Sequence, residues 1–471
     1  MTRNNYWICL AAITLFAAGL RFWHLGELNF LVFDEVYFPK YAYDFLTDQY
    51  YFDVHPPLSK YLIGIGITIY NHMPWVNDPA IGTVPIEQLN SISWRWLNAV
   101  TGTAFVFLGS LLACFLTKSR LFALIVALFF AIDGSLIVES RFGMNNIYIL
   151  FFGVGALICL AYAIVMQKNH RRMLVMCGIL LGLTYSVKWN GLGYSLAVWG
   201  LTFGGSLCVL LVRNNLLKVK NVSPDSVVAK TSLFRVVEFW ELPIYLMAIP
   251  FAVYVMVWQP HLNKYENFGF FGMQKQILGY HSNSVTSDEH PYCSKWYTWP
   301  VMKRPVGFYF KSDVVKGIEG IEGAEVETKI FTDVHLFGNP VLYILSFLSV
   351  LYLSVVWVFS LWGWYNRGVL PKDFAITSFI TIGFFANWLP WMIVSRCLFL
   401  YHYLPAATIS FVGLAWVITK LINKAENWSR ALAISIIIFI VLAFIYWLPF
   451  QMGITIPASS FYDRMWFQSW I

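Results

Sequence analysis

Residues 431–450 read ALAISIIIFIVLAFIYWLPF, a run without a charged side chain. As an α-helix rising 1.5 Å per residue, such a run covers about 30 Å, the hydrocarbon thickness of a bilayer. A transmembrane barrel would instead alternate lipid-facing and lumen-facing residues in segments of about ten. Comparable runs recur at 6–20, 94–116, 121–138, 147–166, 174–187, 192–212, 239–258, 340–364, 374–394 and 398–421, which predicts about eleven transmembrane helices. Composition agrees: 58% of the residues are hydrophobic and 12% charged, about half the charge of a soluble domain. The expectation is an all-α polytopic membrane protein, with residues 1–471 forming a single membrane domain.

The first run could be mistaken for a signal peptide, but Arg21, Phe22 and Trp23 follow it in place of small residues, so it reads as an uncleaved helix. The net charge of +7 does not argue for nucleic acid, because the basic residues gather in short gaps between apolar runs. Lys118/Arg120, Lys168/Arg171/Arg172, Arg213/Lys218/Lys220, Arg367/Lys372 and Lys420/Lys424/Arg430 fall on every second gap, as the positive-inside rule requires of cytoplasmic loops. The N-terminus is then inside and the C-terminus outside. Two long segments, 21–93 and 259–339, become extracytoplasmic loops, and the sizeable cytoplasmic loop is 213–238. Function should face outward. Within the first long loop, 39–46 reads as a short helix and 59–70 as an apolar helix too short to span, lying in the interface. No internal repeat suggests the paired halves of a transporter. The seven cysteines show no CxxC spacing and read as packing residues. For Cys293 and Cys397, near the outer surface, a disulfide is the minority alternative.

The first long loop opens on Phe33-Asp34-Glu35-Val36. A carboxylate held at the outer interface loses solvation, its pKa rises, and it becomes able to act as a base. The plainer alternative is a pair of surface acids at a turn. Farther along stands Asp53-Val54-His55-Pro56-Pro57-Leu58. The two prolines fix φ and hold His55 extended, making a stiff presenter of a polar ring or merely a breaker before the interfacial helix. Cations mark the outer ends of membrane helices: Arg95 between Trp94 and Trp96, Arg141 in Glu139-Ser140-Arg141-Phe142, Lys188 before Trp189, and Arg396 near Tyr401-His402-Tyr403. Singly each is explained as an interface anchor. Together, at headgroup depth and beside acids, they suit a lipid-linked phosphate. Asp133, inside an apolar run, must be paired and is read as locking the bundle, with a cation as the alternative partner.

Phe33-Asp34-Glu35-Val36, Asp53-Val54-His55-Pro56-Pro57-Leu58, Ser140-Arg141, Ser186-Val187-Lys188-Trp189 and Tyr401-His402-Tyr403-Leu404-Pro405, in this order, resemble the protein O-mannosyltransferases, membrane glycosyltransferases of the GT-C class. The resemblance extends through His290-Pro291-Tyr292, Trp299-Pro300 and Arg304-Pro305 to the shorter prokaryotic form. Eukaryotic members carry a β-trefoil domain between the seventh and eighth helices, for which 259–339 lacks room.

The resemblance implies inverting transfer of mannose from a polyprenyl-phosphate donor to Ser/Thr hydroxyls of a secreted protein, on the extracytoplasmic face of a bacterial plasma membrane. Asp34 would be the base and Glu35 would orient it or the acceptor. Arg95, Arg141, Lys188, Arg396 and His402 would hold the donor phosphate. His55, Pro56 and Tyr401 would hold donor or acceptor. No metal or other cofactor is required, although Asp34 and Glu35 could take a divalent cation. The alternatives are a GT-C transferase acting on a lipid or polysaccharide, and, farther off, a transporter or flippase.

Overall fold

The computed structural model describes residues 2–166, 169–214, 216–217, 237–265, 269–283, 290–318, 325–368 and 370–471. Lys168, Lys218, Lys220 and most of the loop read at 213–238 lie outside the described residues. The chain opens with α1 (Arg3–Phe22), whose Thr2 cap accepts from the Asn5 amide at 3.2 Å. The first long loop then holds a 3₁₀ turn (Phe33–Val36), α2 (Phe38–Leu46) and α3 (Leu58–Asn71), so both short helices read from its sequence form. The bundle continues through α4 (Ile92–Thr117), α5 (Arg120–Ile132), α6 (Gly134–Arg141), α7 (Asn146–Met166), α8 (His170–Val187) and α9 (Leu192–Arg213). After α10 (Ile249–Lys264) and α11 (Gly269–Asn283) come α12 (Pro340–Arg367), α13 (Phe374–Trp388), α14 (Leu404–Ile422), α15 (Asn427–Met452) and a terminal α16 (Ala458–Arg464).

Among the described residues nine helices are long and apolar enough to cross a bilayer, or ten if α5 and α6 together count as one. The protein is a multi-pass integral membrane protein. The expected eleventh span is α8, which opens on His170-Arg171-Arg172 and packs against α7 and α10. The run at 121–138 is not one straight helix, since α5 and α6 meet at a 58° bend. Asp133 makes the bend: its Oδ1 accepts from the Leu136 amide at 3.1 Å, capping α6, and its Oδ2 accepts from the Asn339 amide at 3.1 Å. Gly134 completes it, because a Cβ there would meet the Phe337 carbonyl oxygen at 2.2 Å. The structural role read for Asp133 is thus a helix cap joining α6 to the start of α12.

The second long loop contains a feature not expected of an all-α chain. Strands β1 (Val306–Ile318) and β2 (Glu325–Leu336) pair antiparallel from Val306↔Leu336 outward, and β3 (Ile456–Pro457) adds to β2. Valine, phenylalanine and tyrosine dominate the start of β1, residues that suit a pleated, half-buried surface. Phe308 stacks on Phe33 of the first loop with ring centres 4.5 Å apart, tying the hairpin base to the acid pair. Cys293 and Cys397 form a disulfide across 104 residues, which overturns their reading as packing thiols.

Candidate active site

The adjacent acids Asp34 and Glu35 serve different surroundings. They sit in a 3₁₀ turn, where successive side chains diverge by about 120°. Phe33, just before them, holds φ at 53°, a left-handed value unusual for a bulky residue, with its ring fixed on Phe308.

Glu35 is wholly buried. Its Oε1 accepts from Trp94 Nε1 (3.2 Å), Arg95 Nε (2.8 Å) and the Gly143 amide (2.8 Å), and its Oε2 from Arg95 Nη2 (2.6 Å) and the Val32 amide (2.9 Å). The remaining Arg95 donors reach the carbonyls of Leu25 (3.2 Å), Leu28 (2.8 Å) and Phe30 (2.8 Å). All five guanidinium N–H groups thereby have protein acceptors. Arg141 caps the end of α1, donating to the carbonyls of Leu20 (2.8 Å) and Trp23 (2.7 Å). Glu35, Arg95 and Arg141 therefore bolt the first loop to α1, α4 and the turn after α6. The structure does not bring them into the group around Asp34.

Asp34 keeps part of its surface open. Burial of the rest pushes its carboxyl up to about 6, with Lys188 pulling it down and Asp53 pushing it up. Lys188 is buried at the end of α8, where the chain turns extended, and its Nζ lies 4.8 Å from the centre of the Tyr401 ring. Burial brings the Lys188 ammonium down to about 8; Arg396 acts the same way, while Asp34, Glu139 and Asp53 oppose it. Lysine at that value is still mostly cationic at neutral pH.

The His-Pro-Pro segment is held from beneath by buried Lys60. Its Nζ donates to the carbonyls of His55 (2.9 Å) and Pro56 (3.0 Å) and to the Asp53 carboxylate, whose Oδ1 accepts from the His55 amide at 3.1 Å. Burial, reinforced by Lys188, Lys60, His281 and Arg396, keeps His55 well below its usual pKa, so the ring is neutral. His402 Nδ1 lies 3.1 Å from the Phe399 amide nitrogen and 3.0 Å from the Phe399 carbonyl oxygen, so the backbone of that one residue holds the ring in place. Its ring lies against Trp391 at 4.5 Å and Trp299 at 6.2 Å.

Asp34, His55, Lys188, Arg396, Tyr401 and His402, drawn from segments far apart in sequence, thus lie in one neighbourhood, each within electrostatic reach of others in it. Pro56 shapes this segment, its carbonyl turned to Lys60. Two further members were not singled out from sequence. Glu139 is fully buried beside Lys188, its Oε1 accepting from Asn146 Nδ2 at 2.8 Å while Oε2 has no hydrogen-bond partner among the described residues. It stands in the quoted Glu139-Ser140-Arg141 stretch, where the arginine drew the attention. His281, on α11, places Nε2 3.1 Å from the Val54 carbonyl and its ring 5.8 Å from His55; no motif marks it.

Residues 11–266 match the family described as dolichyl-phosphate-mannose-protein mannosyltransferase, and residues 268–470 match the C-terminal four-TMM region of protein-O-mannosyltransferase. A polyprenol-phosphate-mannose–protein mannosyltransferase of Mycolicibacterium smegmatis is 24% identical over 100% of this chain and 94% of its own. One from Corynebacterium glutamicum is 23% identical over 98% and 92%. The Saccharomyces cerevisiae Pmt1-Pmt2 complex bound to the sugar donor superposes with a TM-score of 0.78 at 15% identity, covering 100% of this chain and 93% of that one. The Archaeoglobus fulgidus oligosaccharyltransferase AglB, in complex with an inhibitory peptide and a dolichol-phosphate, gives 0.51 at 16% identity over 95% and 56%. These likenesses speak for the fold, the GT-C fold. Because the family matches cover the chain from residue 11 to residue 470, it belongs to the protein O-mannosyltransferases.

Proposed function

We propose that the protein transfers a mannosyl residue from a polyprenyl-phosphate donor to Ser or Thr hydroxyls of proteins outside the cytoplasm, inverting the anomeric carbon. The observation that carries this reading is the opposition of Asp34, a carboxyl raised to about 6, to buried Lys188. The acceptor oxygen attacks the anomeric carbon as Asp34 takes its proton. The bond from that carbon to the phosphate oxygen breaks, and its electron pair leaves on the phosphate. Phosphate is a good leaving group and needs no proton from an acid, so one base suffices. Lys188, Arg396 and His402 stabilise the charge gathering on it, while His55 and Tyr401 line the approach. The scheme is written without a metal ion; loss of transfer on chelation would add one. The basic inner loops support an active site on the outer face, and the bacterial relatives support a plasma membrane.

The test is an assay of the purified chain with polyprenyl-phosphate mannose and a Ser/Thr-rich peptide, read by mass spectrometry of the peptide and NMR of the new linkage. An unmodified peptide alongside a mannosylated lipid would overturn the acceptor assignment, and a retained anomeric configuration would overturn the single displacement.

Two further results are expected. Asp34 works as a base when deprotonated, so kcat/KM should climb as pH rises through about 6 and fall below it. A flat profile between about pH 5 and 8 would remove Asp34 from that role. Lys188→Met should lower kcat by about 100-fold, the scale of one lost contact to a developing anion. A loss confined to peptide KM would place Lys188 on the acceptor instead.

A further inference from the structure

Arg396 lies in residues 394–399, which are neither helix nor strand, between the 3₁₀ turns Leu389–Ile393 and Leu400–Tyr403. Nothing in its own secondary structure fixes its place. Instead the second long loop is fastened to the chain on both sides of it. At one end the Trp388 indole donates to the Trp296 carbonyl at 3.0 Å. In the middle the Ser294 amide donates to the Leu398 carbonyl at 2.8 Å, and beside it Cys293 is bonded to Cys397, the residue after Arg396. The strap then turns back: Trp299 donates to Ser294 Oγ at 2.8 Å and, wholly buried, lays its ring along His402. One covalent bond therefore ties the loop to the wall that carries both Arg396 and His402.

We propose that the Cys293–Cys397 disulfide is a positioning device for the donor phosphate, holding Arg396 directly and His402 through Trp299, so that full donor affinity requires the oxidised strap. This rests on the reading that Arg396 and His402 face the donor. The consequence is a dependence on an oxidising compartment and a disulfide donor of the thiol–disulfide oxidoreductase class. Opening the bond needs two electrons and two protons, and an added phosphine supplies the electrons as it becomes the phosphine oxide.

The experiment uses the full chain in detergent or nanodiscs, as purified, after reduction with a phosphine, and after reoxidation, with thiols counted by alkylation and mass spectrometry. Two quantities are read in each state: the Kd for polyprenyl-phosphate mannose, and transfer to peptide with separate donor and peptide KM values. Reduction should raise donor Kd and donor KM on the order of tenfold, the size of one weakened charged hydrogen bond, leave peptide KM unchanged, and be reversed by reoxidation. Cys293→Ser/Cys397→Ser should match the reduced state and ignore the phosphine. If that variant fails to fold, the reversible treatment of wild type carries the test alone. A reduced protein with unchanged donor Kd overturns the proposal, as does a fall in kcat alone or an equal rise in both KM values, the marks of general loosening. Transfer absent in the oxidised wild type counts against the proposed function, whereas donor Kd still reports on the strap.

Discussion

Asp34→Asn is expected to lower transfer by about 10²- to 10⁴-fold, the range that a positioned general base contributes, while the protein stays folded and binds its donor. The amide is isosteric with the carboxyl and takes no proton at neutral pH. Glu35, which bolts the loop, is untouched by the change, because its hydrogen bonds run to Trp94, Arg95, Val32 and Gly143. Removing the charge also withdraws one of the carboxylates that support the Lys188 ammonium, which adds to the loss at alkaline pH. The measurement is single-turnover transfer of labelled mannose to peptide, alongside donor binding and thermal unfolding. Wild-type turnover by the variant would end the assignment of Asp34 as base. Loss of donor binding at the same time would make it a ligand of the sugar.

The membrane helices were legible because a bilayer imposes length and apolarity on every span, a constraint strong enough to survive without an alignment. It blurred where chemistry interrupted it. The run at 121–138 hides a break, since Asp133 caps a new helix through contacts to Asn339, far along the chain. The hairpin at Val306–Ile318 and Glu325–Leu336 was missed inside 259–339, a loop of a chain read as all-α. At the site, Asp34, His55, Lys188 and the Tyr401-His402 pair could be named because their segments are distinctive. Which arginines join them could not. An arginine at a helix end has the same local sequence whether it faces a phosphate or satisfies carbonyls, and the Arg95 partners Leu25, Leu28 and Phe30 lie 65 to 70 residues away. Adjacency did not separate the two acids, since a 3₁₀ turn sends neighbouring side chains apart: Glu35 anchors the turn that carries Asp34.

Glu35→Ala is expected to destabilise the folded protein by about 3–5 kcal/mol, because it leaves the Arg95 guanidinium buried without its counter-charge. Thermal unfolding in detergent should show the drop. Arg95→Ala should do at least as much, since it also strands the Glu35 carboxylate and the carbonyls of Leu25, Leu28 and Phe30. An apolar double replacement, Glu35→Leu with Arg95→Met, should recover part of the loss, as buried pairs are often matched by well-packed apolar side chains. Full recovery is not expected, because each stranded carbonyl costs about 1–3 kcal/mol. Activity separates this role from that of Asp34. In both Glu35→Ala and the double variant, the turn carrying Asp34 loses its anchor to α4, and a shift of about 1 Å in a reacting group is enough for a loss near 100-fold. Asp34→Asn should therefore lose transfer at unchanged stability, and Glu35→Ala should lose both. A Glu35→Ala protein of wild-type stability that fails only in catalysis would reverse the assignment, making Glu35 a participant in the reaction and Arg95 its partner in tuning it.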